Sequence, residues 1–98
     1  MAASNSPTLL SSEKTVAAAG TAEALHAGQR VTQVTIIAKV ANTGQVYVGG
    51  SDVASTTNDG LDSGDSLEIT ANGWLDLKDV YIDADTNGEG VDFYAVKA

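Results

Sequence analysis

The chain has 98 residues, a length typical of one small domain. It carries 5 Lys and Arg against 13 Asp and Glu, for a net charge of -8 at pH 7, and this balance argues against nucleic acid and against an anionic membrane surface as partners. The absence of cysteine excludes disulfides, thiolate metal sites and a cysteine nucleophile.

The N-terminal stretch, residues 1–14, is small and polar and contains the single proline of the chain. It has no apolar period, which predicts a flexible N-terminal arm ahead of a domain over residues 15–98. Leu9 and Leu10 are the candidates for anchoring this arm on a neighbour. The start of the chain has no basic cluster followed by an apolar run, so we expect no secretory signal. The apolar runs are far shorter than the roughly 20 residues of a membrane span.

The first half of the domain shows β-type patterns. Residues 15–19 and 21–25 flank Gly20 and contain β-branched residues, which favours two short strands over an alanine-rich helix. Residues 31–40 alternate with period two, residues 42–44 have turn chemistry, and residues 45–48 alternate again. This pattern predicts a hairpin over residues 31–48.

The second half continues in short strands. Turn residues at 58–60 and 63–65 precede an alternating segment at 66–70, and residues 71–73 predict a break. Alternation returns at 80–84 and 91–96, on either side of a turn at 85–88. The chain is therefore expected to be all-β, a compact antiparallel β-sandwich or barrel of about seven to eight short strands.

The acidic residues lie almost entirely in the second half. Residues 1–50 hold two acids and three bases, whereas residues 51–98 hold eleven acids and two bases. The acids fall in turns or at polar strand positions, among them Asp76, Asp79, Asp83 and Asp92, and we interpret them as solvated.

Few residues could carry chemistry. His26 is the single histidine, too few for a cupin-type metal shell, and is read as a surface residue. Residues 83–92 resemble the start of an EF-hand loop, but Tyr94 stands where the bidentate glutamate is needed, so an acidic turn is the simpler interpretation. Whether this turn binds a cation is left open. We predict no catalytic residue, no metal, no cofactor and no enzyme activity. Trp74, after Gly73, is either an exposed contact residue or a half-buried cap of the barrel end.

Four segments together resemble small virion structural proteins of tailed bacteriophages. The first two segments are Ala-Gly-Thr-Ala at residues 19–22 and, at residues 34–50, Val-Thr-Ile-Ile-Ala followed by Ala-Asn-Thr-Gly-Gln-Val-Tyr-Val-Gly-Gly. The other two are Leu-Asp-Ser-Gly-Asp-Ser-Leu at residues 61–67 and Leu-Lys-Asp-Val-Tyr-Ile-Asp at residues 77–83. Together the resemblance covers roughly residues 15–97. Ser63 stands where the family often has proline, which changes the rigidity of one turn.

The resemblance implies a capsid cement or decoration protein, a small β-domain on the outer surface of the virion that is made in the host cytoplasm. It implies binding to the major capsid protein, bridging of neighbouring capsid subunits and a homo-oligomer, with a trimer favoured. It supplies no catalytic residues to transfer. The contacts are expected from Leu9, Leu10 and Trp74. The alternative is a carbohydrate- or receptor-binding β-module of a phage tail or head fibre.

Overall fold

Seven antiparallel strands form two sheets in the computed structural model, which describes residues 8–98. The strands are β1 (Leu9–Thr15), β2 (Glu23–Ala24), β3 (Arg30–Ala38), β4 (Val46–Gly49), β5 (Ser66–Asp76), β6 (Tyr81–Ala84) and β7 (Gly90–Lys97), and a 3-10 turn at Leu77–Asp79 joins β5 to β6. The four-stranded sheet has the order β1-β7-β3-β5 and the three-stranded sheet the order β2-β6-β4. The predicted all-β antiparallel sandwich is confirmed.

The core lies between the two sheets and is built from alternating apolar positions. Phe93 is its largest fully buried side chain, and Ile36 and Ile82 contribute from the facing strands β3 and β6. Burying side chains of this size contributes about 1.5 to 3 kcal/mol each. The alternation predicted for residues 80–84 and 91–96 is confirmed, since Val80, Ile82, Ala84, Val91, Phe93 and Ala95 are all buried.

A bulge in β3 changes the period predicted for its first residues. Val31 and Val34 are both fully buried although they are three positions apart, because the register shifts between Val31 and Gln33. Beyond the strand, Val40 is 82% exposed and does not extend the apolar face. The bulge brings Val31 into the core at the end of the sandwich where β3 begins.

The predicted hairpin over residues 31–48 is wrong, because β3 and β4 lie in different sheets. The segment between them is held by the β6–β7 turn. The Asn42 side chain donates to the Gly90 carbonyl at 2.8 Å, and the Glu89 carboxylate accepts from the amides of Thr43 and Gly44 at 2.7 and 3.0 Å. In a hairpin these amides would bond within the turn, whereas here their acceptor lies on the β6–β7 turn. The chain therefore crosses from the first sheet to the second between β3 and β4.

The predicted N-terminal arm over residues 1–14 needs a correction. Residues 9–15 form β1, which pairs with β7 from Leu9↔Val96 to Thr15↔Gly90. Residues 1–7 lie outside the described residues. The domain therefore begins before residue 15, and of the two strands predicted at 15–19 and 21–25 only Glu23–Ala24 is a strand. The sequence of β1 shows little alternation, because Leu10 is the one apolar residue on the inner side of this edge strand.

The break predicted at residues 71–73 is a bulge inside the longest strand. Thr70 pairs with Gln33 and Leu75 with Val31, so the four residues 71–74 of β5 lie opposite Thr32 alone. Gly73 adopts a φ of +106°, a conformation that L side chains rarely adopt. The bulge therefore keeps β5 in the sheet while it pushes Trp74 out of the regular ladder.

Candidate functional site

The four-stranded sheet has one face on the core and one face that no other element covers in residues 8–98. We call the second the outer face. Partners in an antiparallel pair share a face, so the register places two rows across it: Leu9, Val96, Gln33 and Thr70, and Ser11, Tyr94, Thr35 and Glu68. These rows form the candidate interaction surface.

The apolar part of the outer face is centred on β1 and β7. Leu9 is 74% exposed and Tyr94 is 52% exposed, and Val96 lies beside Leu9 in the pair between β1 and β7. With Gln33 and Thr35 they line a shallow depression of about 330 Å³. Two large exposed side chains beside a depression are a surface that a partner can bury.

Leu10 borders the depression, but its side chain lies on the inner side of β1. It pairs with Ala95, which is buried, and its partly buried side chain packs against the core. Of the two leucines proposed as anchors, Leu9 is placed where it can contact a partner and Leu10 is used by the domain itself.

Trp74 lies on the bulge inside β5, and its side chain is exposed instead of forming a half-buried cap at the end of the sandwich. Trp74 is 53% exposed, and the Arg30 guanidinium lies 4.1 Å from the centroid of its ring. Such a cation–π contact restricts both side chains and leaves the rest of the ring accessible.

The base of the bulge is anchored by Asp76. Its Oδ1 accepts from the amides of Gln29 and Lys78, each at 3.1 Å. The Lys78 amide, followed by that of Gln29, holds the pKa of this carboxyl below its ordinary value. Next to it, Leu75 packs against the core. The backbone that carries Trp74 is therefore held in place by the hydrogen bonds of Asp76 and the packing of Leu75.

Leu9 and Trp74 lie at the same end of the four-stranded sheet but on opposite edges. The order β1-β7-β3-β5 separates their strands by three spacings, roughly 14 Å at about 4.8 Å each. The structure therefore brings them to one surface without contact, and Tyr94 lies on the strand beside Leu9. Tyr94 was not among the predicted contact residues, although its alternation with buried Phe93 and Ala95 was visible in the sequence.

Charge is sparse in the middle of the outer face, and at one end of it two carboxylates share one ammonium group. Glu68 is the one charged side chain in the two rows, and it lies on the edge strand. In the next row, the Lys39 ammonium bridges Asp92 at 2.8 Å and Glu13 at 2.5 Å. Asp92 and then Glu13 raise the pKa of Lys39 above its ordinary value. The excess acid lies elsewhere, in turns and around the three-stranded sheet.

Asp83 contradicts the expectation that these acids are solvated. It is 1% exposed, and its Oδ1 accepts from the amides of Gly20 at 2.9 Å and Ala84 at 2.8 Å. The segment around Gly20 folds over the outside of β6 and covers the carboxylate. The pattern of polar strand positions did not reveal this, because the covering loop is distant in sequence.

Other side-chain oxygens of the EF-hand-like stretch accept hydrogen bonds from backbone amides and from a tyrosine hydroxyl. Asp85 accepts from the Gln45 amide at 3.1 Å and from the Tyr47 hydroxyl at 2.8 Å. Burial and then the Asp85 hydrogen bond raise the pKa of Tyr47 to about 12. Asn87 accepts from the Ala19 amide at 2.7 Å. In residues 8–98 no group of three or more His, Asp or Glu side chains is arranged to hold a metal ion.

His26 closes one end of the core. Its ring meets that of Phe93 edge to face at 6.3 Å, and its Nδ1 accepts from the Gly28 amide at 3.0 Å. These contacts give the imidazole a structural role at a half-buried position.

Comparison with known proteins gives no match to any protein-family model, curated protein or solved structure. Across residues 8–98, no helix is long and apolar enough to cross a membrane. The geometry of the outer face and the chemistry of its residues are therefore the basis for the function proposed below.

Proposed function

We propose that this protein is a capsid decoration protein that binds the outer surface of a phage head and bridges major capsid subunits. The observation that carries the proposal is the uncovered outer face, where Leu9 and Tyr94 are exposed at 74% and 52% beside a depression with little charge. An exposed sheet face of this kind is suited to burial against another protein.

The charge distribution supports docking through this face. With a net charge of -8, the body of the domain repels packaged nucleic acid, while the two central rows of the outer face carry Glu68 as their charged residue. The resemblance to small phage virion proteins also supports a location on the outer surface of the phage head. In this proposal the domain works as a homo-oligomer, with a trimer favoured, made in the host cytoplasm and carried on the virion.

Bridging stabilises a shell without chemistry. A protein that binds the assembled lattice but not its dissociated subunits shifts the equilibrium toward the lattice by mass action. Several contacts per oligomer add avidity. Leu9 and Tyr94 would supply the apolar anchor, and Trp74, held by Arg30, a second contact at the other edge.

The test measures the disruption temperature of expanded capsids with and without the purified protein. We expect saturating protein to raise that temperature, and Leu9→Ser combined with Tyr94→Thr to weaken capsid binding at least tenfold. Val40→Thr is the matched control, because Val40 is 82% exposed but lies beyond the end of β3. An unchanged disruption temperature at saturating wild-type protein contradicts the proposal.

A carbohydrate- or receptor-binding module is the second candidate, favoured by the exposed ring of Trp74. Aromatic rings on rigid bulges can stack on sugars, although Arg30 already covers part of this ring. A glycan array probed with the wild type and with Trp74→Ala separates the two functions. Glycan binding that Trp74→Ala abolishes, without any effect on capsids, favours the module.

A further inference from the structure

The edge strand β5 presents an open hydrogen-bonding edge. It is the longest strand, with 11 residues, and it pairs with β3 on one side only. Its regular part, residues 66–70, contains no proline, no lysine and no bulge, which are the devices that usually protect an edge.

The bonds at the end of β3 determine which groups of β5 are open. The Ala38 amide donates toward β5, to Asp65, and the Lys39 amide donates toward β7, to Gly90. Even-numbered residues of β3 therefore bond toward β5 in this regular segment. Their partners Leu67 and Ile69 bond inward, so the amides and carbonyls of Ser66, Glu68 and Thr70 point away from the sheet. Within residues 8–98, no other backbone group bonds to these three residues.

The other edges of the described domain are shorter or tied to neighbours. β2 has two residues, and Val46 of β4 exchanges both backbone bonds with Leu61, at 3.1 and 2.7 Å. Edge strand β1 is tied to the second sheet by the ion pair of Lys14 with Glu23, at 3.0 Å. The segment 66–70 is therefore the edge best suited to accept a strand.

The side chains around this edge specify what a docking strand needs. On the inner side, Leu67 is 37% exposed and Ile69 is partly buried against the core. Both stay partly accessible because the three-stranded sheet does not fully cover the edge of the four-stranded sheet. On the outer side Glu68 stands between them, with no basic neighbour on β3, where its partner is Thr35. A strand with apolar residues opposite Leu67 and Ile69 and a basic residue opposite Glu68 would complement both sides.

We propose that the edge formed by residues 66–70 binds an extended segment of another protein in which a basic residue stands between two apolar ones. A second copy of this chain is a poorer occupant. Pairing two β5 strands about Glu68 places two carboxylates opposite each other, in a chain whose net charge is already -8. This inference goes beyond the proposed function, because it concerns the sheet edge and holds whether or not the partner is a capsid.

The probe is the blocked peptide Ser-Thr-Val-Lys-Val-Thr-Ser, with Ser-Thr-Val-Glu-Val-Thr-Ser as its matched control. Binding is measured by NMR titration, and amide hydrogen exchange locates the site. We expect the lysine peptide to bind at least fivefold more tightly than the glutamate peptide. At saturation it should slow exchange of the Glu68 and Thr70 amides at least tenfold, since these amides are open in the free protein.

Two variants separate backbone from charge. Glu68→Pro removes an outward amide without breaking a bond to β3 and should weaken binding of the lysine peptide at least tenfold. Glu68→Lys keeps the amide and should reverse the preference between the two peptides. The proposal is overturned by exchange protection outside residues 66–70, by an unchanged preference in Glu68→Lys, or by protection of these amides that grows with protein concentration alone.

Discussion

At the scale of single residues, the acids of the second half act as acceptors for backbone amides of distant loops. Asp83 binds Gly20, Asp85 binds Gln45, and Glu89 binds Thr43 and Gly44. A carboxylate offers several acceptor sites, and charge-assisted bonds to amides are stronger than neutral ones. The residues that suggested a cation site therefore hold two loops around β6, the β1–β2 connection and the β3–β4 connection.

Asp83→Ala is expected to lower the free energy of unfolding by about 2 kcal/mol, because it leaves the amide of buried Ala84 without its side-chain acceptor. Asp83→Asn keeps an acceptor oxygen at the same place and should cost about half as much. Urea unfolding at pH 7 measures both. Equal losses in the two variants would mean that the charge, and not the acceptor geometry, is what matters at this position.

At the scale of elements, β7 organises the larger sheet, since it pairs with both β1 and β3. Its first residue, Gly90, lies where β1 passes closest: a Cβ there would stand 2.6 Å from the Thr15 Cα and against the Lys14 carbonyl. The alternation of β7 could be predicted from the sequence because its inner face packs on the core between the two sheets and its outer face does not. The pairing of β1 was not readable, since nothing local marks Gly90 as a contact point.

Gly90→Ala should therefore destabilise the domain by about 2 to 3 kcal/mol, because the added methyl group forces β1 away from β7. Thermal unfolding measures the loss, and hydrogen exchange should show it concentrated in residues 9–15. The matched control is Gly50→Ala, where the nearest atom is the Asp52 Oδ1 at 3.3 Å, the end of a side chain that can move. A comparable loss in the control would contradict this explanation.

At the scale of the whole molecule, an ion pair closes one open side of the sandwich. Lys14 on β1 and Glu23 on β2 join the two sheets at 3.0 Å, and Glu23 also accepts from the Ala17 amide at 2.7 Å. Lys14 and then the Ala17 amide hold the pKa of Glu23 below its ordinary value of 4.5. The apolar core holds the two sheets together, and this ion pair joins their edge strands β1 and β2, which contribute few apolar residues.

The pKa of Glu23 predicts how stability changes with acid. The unfolded chain takes up the proton near pH 4.5, whereas the folded chain takes it up at lower pH, so this contribution is complete above about pH 5 and is lost as the pH falls through the folded pKa. Glu23→Gln should therefore be less stable than the wild type at pH 7 and equal to it near pH 2, as measured by urea unfolding.

Lys14→Met tests the cause of this pH dependence. It should remove part of the same pH-dependent difference, and in the double variant the two effects should not add, since both remove one interaction. Additive losses would show that Lys14 and Glu23 act independently.

The fold class, the buried faces of β6 and β7 and the uneven charge could all be predicted from the sequence, because a strand with one face on the core alternates with period two. Three features required the three-dimensional structure: β3 and β4 lie in different sheets, residues 9–15 join the domain, and Asp83 is buried. Each of these depends on partners far away in the chain: the crossing segment with Glu89 and Gly90, β1 with β7, and Gly20 with Asp83. Hydrogen bonds between distant segments leave no period in the sequence, and so the outer face and its open edge became visible only in three dimensions.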